Sequence, residues 1–412
     1  MVQRAAILVE TSVEYTIYAM IHPDEAWRRI AARLAPLSPE TLPRRQALGR
    51  VLAHPLSATV DVPPFDVSAM DGYALAGEVP IGERRPVAAT IAAGHPPGFE
   101  LHPPAVARIM TGAPVPLGAD RIVPVEQSDG WLEEVAFRTE AQEGDHIRRR
   151  AEVLRAGDPL LPAGAPLTPE ALALIATHGY RELPVHRAPD VAVLTTGDEV
   201  VPPEAEPAPG QIRDSHTDFL LSAGKQLGLQ FRSLGIAPDR VDELRSLAEE
   251  GLRSEVLILC GGVSMGEFDL VEGVLAELGC KAHFDAVAIQ PGKPMVFATH
   301  PNGLVFGLPG NPAAVMVAFR LFVRPALRRL MGFQDDWWNG LTGTLAAPLP
   351  KTTTRDRFLP AQVEVKEGQL LVTPYLPKGS HDLASHGAGT ALVRVRAGSP
   401  EAQPGEECEV LL

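Results

Sequence analysis

The sequence predicts a multi-domain α/β and β protein whose centre is a doubly wound α/β domain at residues 187–331. Uncharged apolar runs, such as residues 191–194 and 256–260, are typical of strands that are covered on both faces of a parallel sheet. Amphipathic segments alternate with these runs, as crossover helices do. Proline- and glycine-rich segments with β-type patterns flank the centre on both sides. The chain therefore combines one α/β domain with smaller β domains.

Residues 1–19 carry no packable periodic pattern, and we expect them to be a dispensable N-terminal extension. A helix is predicted to follow, with Asp24 as its N-cap and with Trp27 and Ile30 on its buried face. A second short helix is expected at 43–52 and a third at 169–178. Together, residues 20–65 plus 146–186 are predicted to form a small, discontinuous, mixed α/β linker domain.

An inserted β domain is predicted at residues 66–145, with strands at 87–91, 105–110, 121–125 and 135–138. An extended, proline-fixed stretch leads into it and carries Asp61, Asp66 and Asp71. Its Asp71-Gly72 pair is compatible with a tight hairpin turn, but the density of Pro, Asp and Tyr equally indicates a functional loop. The cationic run at 148–150 favours a solvated charged strand.

The central domain is predicted to contain further strands at 231–236, 256–260, 284–289 and 303–307. Helices are expected at 217–227, 240–252, 270–278 and 313–329, the last with Pro312 at its first position. Residues 332–412 have five β-type segments, at 341–346, 357–366, 369–375, 390–396 and 407–412. They predict a separate C-terminal β-barrel-like domain, with a sandwich as the alternative.

Polar and glycine residues follow several predicted strands of the central domain. Because open α/β sheets place ligands at the carboxyl ends of their strands, these residues should meet at one anion-binding rim. They are Thr196, Asp198, Glu199, Gly261, Gly262, Ser264, Lys293, Gly310 and Asn311. The string Gly-Gly-Val-Ser-x-Gly-x-x-Asp at 261–269 is the most specific signal, since such a loop directs backbone N–H groups at a phosphate. For its Gly-Gly pair alone, an ordinary αβ connection is an equal alternative.

Four carboxylates, Asp198, Glu199, Asp214 and Asp269, are expected near this rim. Carboxylates, phosphate and water are the ligands that Mg²⁺ prefers, so they predict a magnesium site, and Lys293 supplies a point charge for an anion. Taken singly, each carboxylate could instead cap a helix or lie in a solvated loop. No nucleophile–base pair is evident, because Ser264 has no identifiable histidine partner.

Composition excludes several classes of protein. The net charge is −14, without basic and aromatic residues interleaved, so nucleic acid is a poor partner. No apolar run is long enough to span a bilayer, and no signal peptide is evident. The three cysteines lack metal-type spacing, which predicts a reducing, cytoplasmic location without a zinc site.

Seven ordered motifs resemble those of one family. They are Met-Asp-Gly-Tyr-Ala at 70–74, Met-Thr-Gly-Ala-Pro-Val-Pro at 110–116, Thr-Gly-Asp-Glu at 196–199, Arg-Asp-Ser at 213–215, the glycine string at 261–269, Pro-Gly-Lys-Pro at 291–294 and Gly-Leu-Pro-Gly-Asn-Pro at 307–312. In order and spacing they are similar to the molybdopterin molybdenumtransferases, the MoeA family, which includes the gephyrin E domain. The similarity extends from about Ile21 to Leu412.

The resemblance implies an elongated four-domain subunit, with a central domain of the molybdopterin-binding type, and a homodimer whose site lies in a cleft between subunits. It implies a molybdenum insertase that transfers molybdate to the dithiolene of adenylylated molybdopterin, with Mg²⁺-dependent release of AMP. A contact with the molybdopterin adenylyltransferase is a further expectation. Its motifs place catalytic residues at Asp71, Thr111, Glu199, Asp214 and Asp269. They place cofactor-binding residues at Thr196, Gly197, Ser215, Gly261, Gly262, Ser264, Gly266, Lys293, Pro309, Gly310 and Asn311.

The chain departs from the family pattern near the expected oxyanion subsite. Ala286 and Gln290 stand where the family has two lysines, and His216 stands where it often has Asn. A non-catalytic carrier or scaffold that binds molybdopterin is therefore the alternative function. Retention of Glu199 and Asp269 favours the enzyme, whereas loss of the lysine pair favours the scaffold. The choice between molybdate and tungstate stays open.

Overall fold

The computed structural model describes residues 20–262, 270–352 and 354–412. The chain divides into two compact units. The large unit contains the described residues up to Glu40, together with Gly49–Val51 and Val185–Leu412. The small unit contains Thr41–Leu48 and Leu52–Pro184. The finer division into an extension and four domains stays a prediction.

A six-stranded sheet forms the centre of the large unit. Its strands, in spatial order, are Phe231–Ala237, Val191–Thr196, Val256–Cys260, Gly303–Leu308, Pro294–His300 and Lys281–Ala286. The first four strands are parallel to one another. Pro294–His300 runs antiparallel to both of its neighbours.

The sheet is covered on both faces, as a doubly wound domain requires. Successive side chains of the second strand belong to different cores: Val191 and Val193 to one, Ala192 and Leu194 to the other. This alternation confirms the prediction made from the uncharged apolar runs. The covering helices are His216–Gln226, Val241–Gly251, Leu270–Glu277, Pro312–Ala318 and Arg324–Leu330, with the π-helical turn Phe319–Val323 between the last two.

One strand of this sheet was not predicted, and another lies elsewhere than expected. The strand expected at 284–289 ends at Ala286, where a register irregularity interrupts its pairing. The next residues leave the sheet, and Ile289–Gln290 pairs with the start of a barrel strand. The chain then returns as Pro294–His300. Because this strand is antiparallel, Lys293 precedes its start and lies at the edge where the parallel strands end.

The first helix, Pro23–Ala31, packs Trp27 and Ile30 into the core of the large unit, as predicted. The predicted N-cap is wrong. His22 occupies that position, and its Nδ1 accepts a hydrogen bond from the backbone N–H of Asp24 at 3.3 Å. Pro23 fixes the first helical residue, which places Asp24 in the first turn instead.

The small unit contains a five-stranded sheet, and its strands confirm the predicted β pattern. In spatial order they are Arg121–Pro124, Gly72–Leu75, Val106–Ile109, Arg84–Ile91 and Glu134–Ala136. The helix Pro169–Thr177 is present and is capped by Thr168. The helix expected at 43–52 is wrong: only the 3₁₀ turn Arg44–Gln46 forms there. The left-handed Gly49, with a φ of +73°, interrupts the expected span before residue 52.

Several short strands complete this part of the chain. Val67–Ser68 pairs with Ile147–Arg148, and Leu56–Ser57 pairs with Pro159–Leu161. The following arginines of the cationic run bind carboxylates: the Arg149 side chain donates to Asp66, and that of Arg150 to Asp61. Further strands lie at Pro39–Pro43 and Glu182–His186.

The C-terminal strands close a five-stranded barrel, which decides between the two predicted alternatives. The strands are Leu341–Leu345, Asp356–Lys366, Gln369–Pro374, Ala391–Val395 and Glu407–Leu411. Asp356–Lys366 pairs with both Gln369–Pro374 and Ala391–Val395, which completes the ring. A short helix that was not predicted, Leu383–Ala388, precedes the fourth strand. No helix among the described residues is long and apolar enough to cross a membrane.

Candidate functional site

Glycines bring three strand ends of the large sheet into close contact. Gly261 has a φ of +95°, and a Cβ at this position would lie 2.6 Å from the carbonyl oxygen of Thr196. A Cβ on Gly310 would lie 3.7 Å from the Cα of Gly261. Only glycine at position 261 permits this approach, so the loops after residues 196, 260 and 308 meet at one edge.

A cavity of about 310 Å³ opens at this edge, and we call it the glycine pocket. Eight of the predicted site residues line it: Thr196, Gly197, Glu199, Asp214, Ser215, Gly261, Gly262 and Gly310. Arg213, His216 and Asp239 also line it and were not predicted as site residues. The short strands Val200–Val201 and Ile212–Arg213 pair in parallel and hold the Glu199 and Asp214 segments together.

The carboxylate of Asp214 is buried at the start of the helix His216–Gln226. Its Oδ1 accepts hydrogen bonds from the backbone N–H groups of His216 at 2.8 Å and Thr217 at 3.2 Å. Its Oδ2 accepts the Thr217 hydroxyl hydrogen at 2.6 Å. The helix-cap interpretation of this carboxylate therefore holds. Of the four lone pairs of the carboxylate, one on Oδ2 then remains for a ligand in the pocket that Asp214 lines.

Two buried side chains of this pocket have unsatisfied polar atoms. The hydroxyl oxygen of Thr196 and both ring nitrogens of His216 have no hydrogen-bond partner among the described residues. Burial lowers the pKa of His216, and the nearby Asp214 carboxylate opposes that shift. The imidazole is thus neutral at pH 7, with one donor and one acceptor available to a ligand. The sequence indicated His216 only as a departure from the family pattern.

The adjacent acidic residues Asp198 and Glu199 lie on different sides of their loop, and both are exposed. Glu199 lines the glycine pocket, and its Oε2 lies 2.7 Å from where a Cβ on Gly197 would stand. Asp198 lines a neighbouring cavity of about 590 Å³, which Asp214 also borders. Asp239 N–H donates to the Asp198 carboxylate at 3.1 Å. The structure thus brings Glu199 and Asp214 into one pocket but not Asp198.

The described residues contain no group of three or more His, Cys, Asp or Glu side chains that could hold a metal ion. Ser264, Gly266 and Asp269 lie outside the described residues. Glu199 and Asp214 fit a magnesium ion in chemistry, because Mg²⁺ is usually held by one or two carboxylates together with phosphate oxygens and water. The four-carboxylate ligand set stays a prediction.

A second cavity, of about 290 Å³, lies on the other side of the 309–312 loop, and we call it the cationic pocket. Lys293, Pro309 and Asn311 line it, whereas Gly310 and Pro312 face the glycine pocket. The predicted cofactor-binding residues are therefore divided between two adjacent pockets. Asn311 precedes the helix Pro312–Ala318 without capping it through its side chain, so its amide is available to a ligand.

The cationic pocket also contains positive charge that the sequence did not identify by residue. Arg355 and Arg357, contributed by the barrel, line it together with Lys293. The Arg355 guanidinium donates to the Ile289 carbonyl at 3.4 Å, and none of the three side chains forms an ion pair among the described residues. Such unpaired cations suit a dianion.

His386 is a neutral member of the same pocket. Its Nε2 is buried without a hydrogen-bond partner in the described part of the chain. Burial, reinforced by the positive charge of Arg320, lowers its pKa to about 4. It lies on the unpredicted helix Leu383–Ala388, so no pattern in the sequence connected it to Lys293.

Asp71 and Thr111 meet in the small unit. The Asp71 Oδ1 accepts hydrogen bonds from both the backbone N–H and the hydroxyl of Thr111, each at 2.7 Å. These bonds hold the pKa of the exposed Asp71 carboxyl below its usual range. Neither residue is among those that line the two pockets of the large unit, and the functional-loop interpretation of the 70–73 segment stays a prediction.

Comparison with known proteins covers almost the whole chain. Family models match residues 21–179 as the MoeA N-terminal region (domain I and II), 192–329 as a "Probable molybdopterin binding domain" and 342–412 as the MoeA C-terminal region (domain IV). Molybdopterin molybdenumtransferase 2 of Mycobacterium tuberculosis is 34% identical over 94% of this chain and 98% of its own length. Molybdopterin molybdenumtransferase of Nostoc is 39% identical over 71% of this chain and 69% of its own.

A solved structure agrees with this assignment. The crystal structure of a molybdopterin biosynthesis MoeA protein from Pyrococcus horikosii has a TM-score of 0.79 and 30% identity, covering 96% of this chain and 99% of that one. The matches include both pockets and the barrel. The chain therefore belongs to the MoeA family of molybdopterin molybdenumtransferases.

Proposed function

We propose that this protein inserts molybdate into the dithiolene of adenylylated molybdopterin and releases AMP. One observation carries the proposal: two adjacent pockets share the 309–312 loop, one rich in glycine and carboxylate and the other cationic. An insertase must hold a phosphorylated pterin and an oxyanion side by side. The two pockets supply complementary chemistry for this purpose.

In the glycine pocket, the Gly261 N–H donates to the Leu308 carbonyl at 3.1 Å, so Gly262 and the loop that follows it would supply the N–H groups for a phosphate. The unpaired hydroxyl of Thr196 and the neutral imidazole of His216 can orient the bound nucleotide or pterin by hydrogen bonds. Glu199, Asp214 and Asp269 would hold Mg²⁺. When bound, that ion would polarise the phosphoanhydride.

In the cationic pocket, the positive charges of Lys293, Arg355 and Arg357 compensate the free-energy cost of moving a dianion out of water. With Gln290 in place of a family lysine, these cations carry a larger share of molybdate binding. The neutral His386 donates or accepts one further hydrogen bond without adding charge. The dianion would thus be held beside the shared loop.

The substitution Lys293→Ala tests this assignment. Lys293 is exposed and unpaired in the described structure, so its removal should leave the fold intact. Loss of one charge-assisted contact of ~1.4 kcal/mol should raise the molybdate concentration for half-maximal insertion about tenfold. Lys366→Ala, at an exposed hairpin end of the barrel, is the matched control. An unchanged molybdate dependence in Lys293→Ala would place the oxyanion subsite elsewhere.

The proposal also includes a cytoplasmic homodimer that receives its pterin substrate from the molybdopterin adenylyltransferase. These elements rest on the family resemblance alone. Light scattering of the purified protein would test the dimer, and a mixing experiment with the adenylyltransferase would test the contact. A monomer at micromolar concentration would contradict the first expectation.

A further inference from the structure

Two arginines line a third cavity of the large unit that belongs to neither pocket described above. Arg320 and Arg324 stand one helical turn apart, where the π-helical turn Phe319–Val323 continues into the helix Arg324–Leu330. The cavity measures about 230 Å³ and lies between this segment and the end of the barrel. Its other walls include Asp336, Trp337, Asn339 and Leu411.

Neither guanidinium has a hydrogen-bond or ion-pair partner in residues 20–262, 270–352 and 354–412. Both side chains are partly buried. Burial lowers the pKa of Arg320, and the positive charge of Arg324 lowers it further. Burial likewise lowers the pKa of Arg324. The positive charge of Arg328 lowers it further, and the Asp335 carboxylate opposes the shift. Two neighbouring charges kept partly from water without a partner are costly unless a ligand compensates them.

The acidic residues at this cavity are already engaged. The Asp335 carboxylate accepts the Arg328 Nε–H, and its backbone carbonyl accepts the Arg329 Nε–H at 2.6 Å. The Asp336 carboxylate accepts the backbone N–H of Trp337 at 2.8 Å. The lining thus contains two arginines and two aspartates, and the aspartates accept hydrogen bonds whereas the two guanidinium groups have no partner among the described residues. The unused hydrogen-bond donors of the cavity therefore suit an anion.

We propose that the cavity lined by Arg320 and Arg324 binds a small tetrahedral oxyanion, at a site separate from the cationic pocket. Guanidinium groups present donors in a fixed fork that matches the oxygens of sulfate, phosphate or molybdate. The apolar wall formed by Trp337 and Leu411 limits the solvent that competes for these donors. At about 230 Å³ the cavity is smaller than the glycine pocket, which suits a small ligand.

Sulfate is the probe for the test, because its binding to the full chain can be measured by calorimetry and thermal shift without turnover. The result is therefore independent of the proposed function. Arg320→Met and Arg324→Met should each weaken sulfate binding at one class of sites at least tenfold. The exposed Arg253→Met, which removes an equal charge elsewhere, should match the wild type. Lys293→Ala should retain this class of sites.

The same variants separate a lost ligand from a lost fold. In anion-free buffer, Arg320→Met and Arg324→Met should melt at or above the wild-type temperature, because each removes an unpaired, partly buried charge. Arg320→Lys, which keeps the charge but not the fork, should lose affinity partially. Wild-type sulfate affinity and stoichiometry in both methionine variants would overturn the proposal. So would a change of oligomeric state in them, because the arginines would then serve a subunit interface.

Discussion

Gly261→Ala tests whether the two strand ends must touch for the glycine pocket to form. The added methyl group meets two obstacles. Gly261 has a φ of +95°, which costs an L-residue ~1–2 kcal/mol. The new Cβ would also lie 2.6 Å from the backbone oxygen and 2.8 Å from the hydroxyl oxygen of Thr196, and relieving such an overlap costs ~1–3 kcal/mol. We expect a total loss of ~2–5 kcal/mol, from a typical stability of ~5–15 kcal/mol.

Gly279→Ala is the matched control, because Gly279 has a φ of +82° but nothing within 4 Å of its added Cβ. It should show the backbone cost alone, ~1–2 kcal/mol. Urea unfolding followed by tryptophan fluorescence reports on the large unit, where Trp27 and Trp337 belong to the main core. If Gly261→Ala destabilises the protein no more than Gly279→Ala, the close approach of the strand ends does not constrain the pocket as argued.

Three further predictions concern separate parts of the chain. Because the folded pKa of His386 is about 4, below the ~6.5 of an unfolded histidine, its contribution to stability is complete above pH 6.5 and is lost as the pH falls toward 4. His386→Met should therefore weaken the pH dependence of the unfolding free energy, measured with urea, between pH 6.5 and pH 4. An unchanged pH dependence would show that His386 is not its cause. Asp269→Asn should lower AMP release by orders of magnitude while the circular dichroism spectrum stays that of the wild type; normal turnover would exclude it as a metal ligand. Deletion of residues 2–19 should change the melting temperature by no more than about two degrees, whereas a loss of several degrees would indicate a docked segment.

The strands with uncharged apolar runs were the most predictable part of the fold. The run at Val256–Cys260 has the bounds that the sequence predicted, because burial on both faces leaves no position for a polar residue. The barrel strands were predictable for a related reason, since turns with glycine and proline separate them. Pro294–His300 was missed because it follows directly on a proline–glycine loop, which resembled the end of an element rather than the beginning of one.

The sequence predicted the loop residues of the site, but it did not predict the side chains that the barrel and its short helix contribute. Strand ends indicated Thr196, Glu199 and Gly261, because the carboxyl ends of parallel strands share an edge. No local pattern relates Lys293 to Arg355 and His386, which reach the cationic pocket from the barrel and its short helix. Such contacts depend on tertiary packing, which periodicity does not encode.

The helix-cap role of Asp214 illustrates a different limit. Its sequence position, three residues before Thr217 and at a strand end, fits a cap and a ligand equally well. The structure shows the cap through three hydrogen bonds, while the same carboxylate borders the glycine pocket. One side chain can serve both purposes, so the two interpretations did not exclude each other.

A single-turnover experiment with the purified protein, adenylylated molybdopterin, Mg²⁺ and molybdate tests molybdate insertion most directly. AMP and the molybdenum–dithiolene product would be quantified in the same sample over time. We predict that both appear together, one to one, and that omitting Mg²⁺ abolishes both. Tight binding of the adenylylated pterin without AMP release at any molybdate concentration would contradict this prediction, and would identify the protein as a carrier instead.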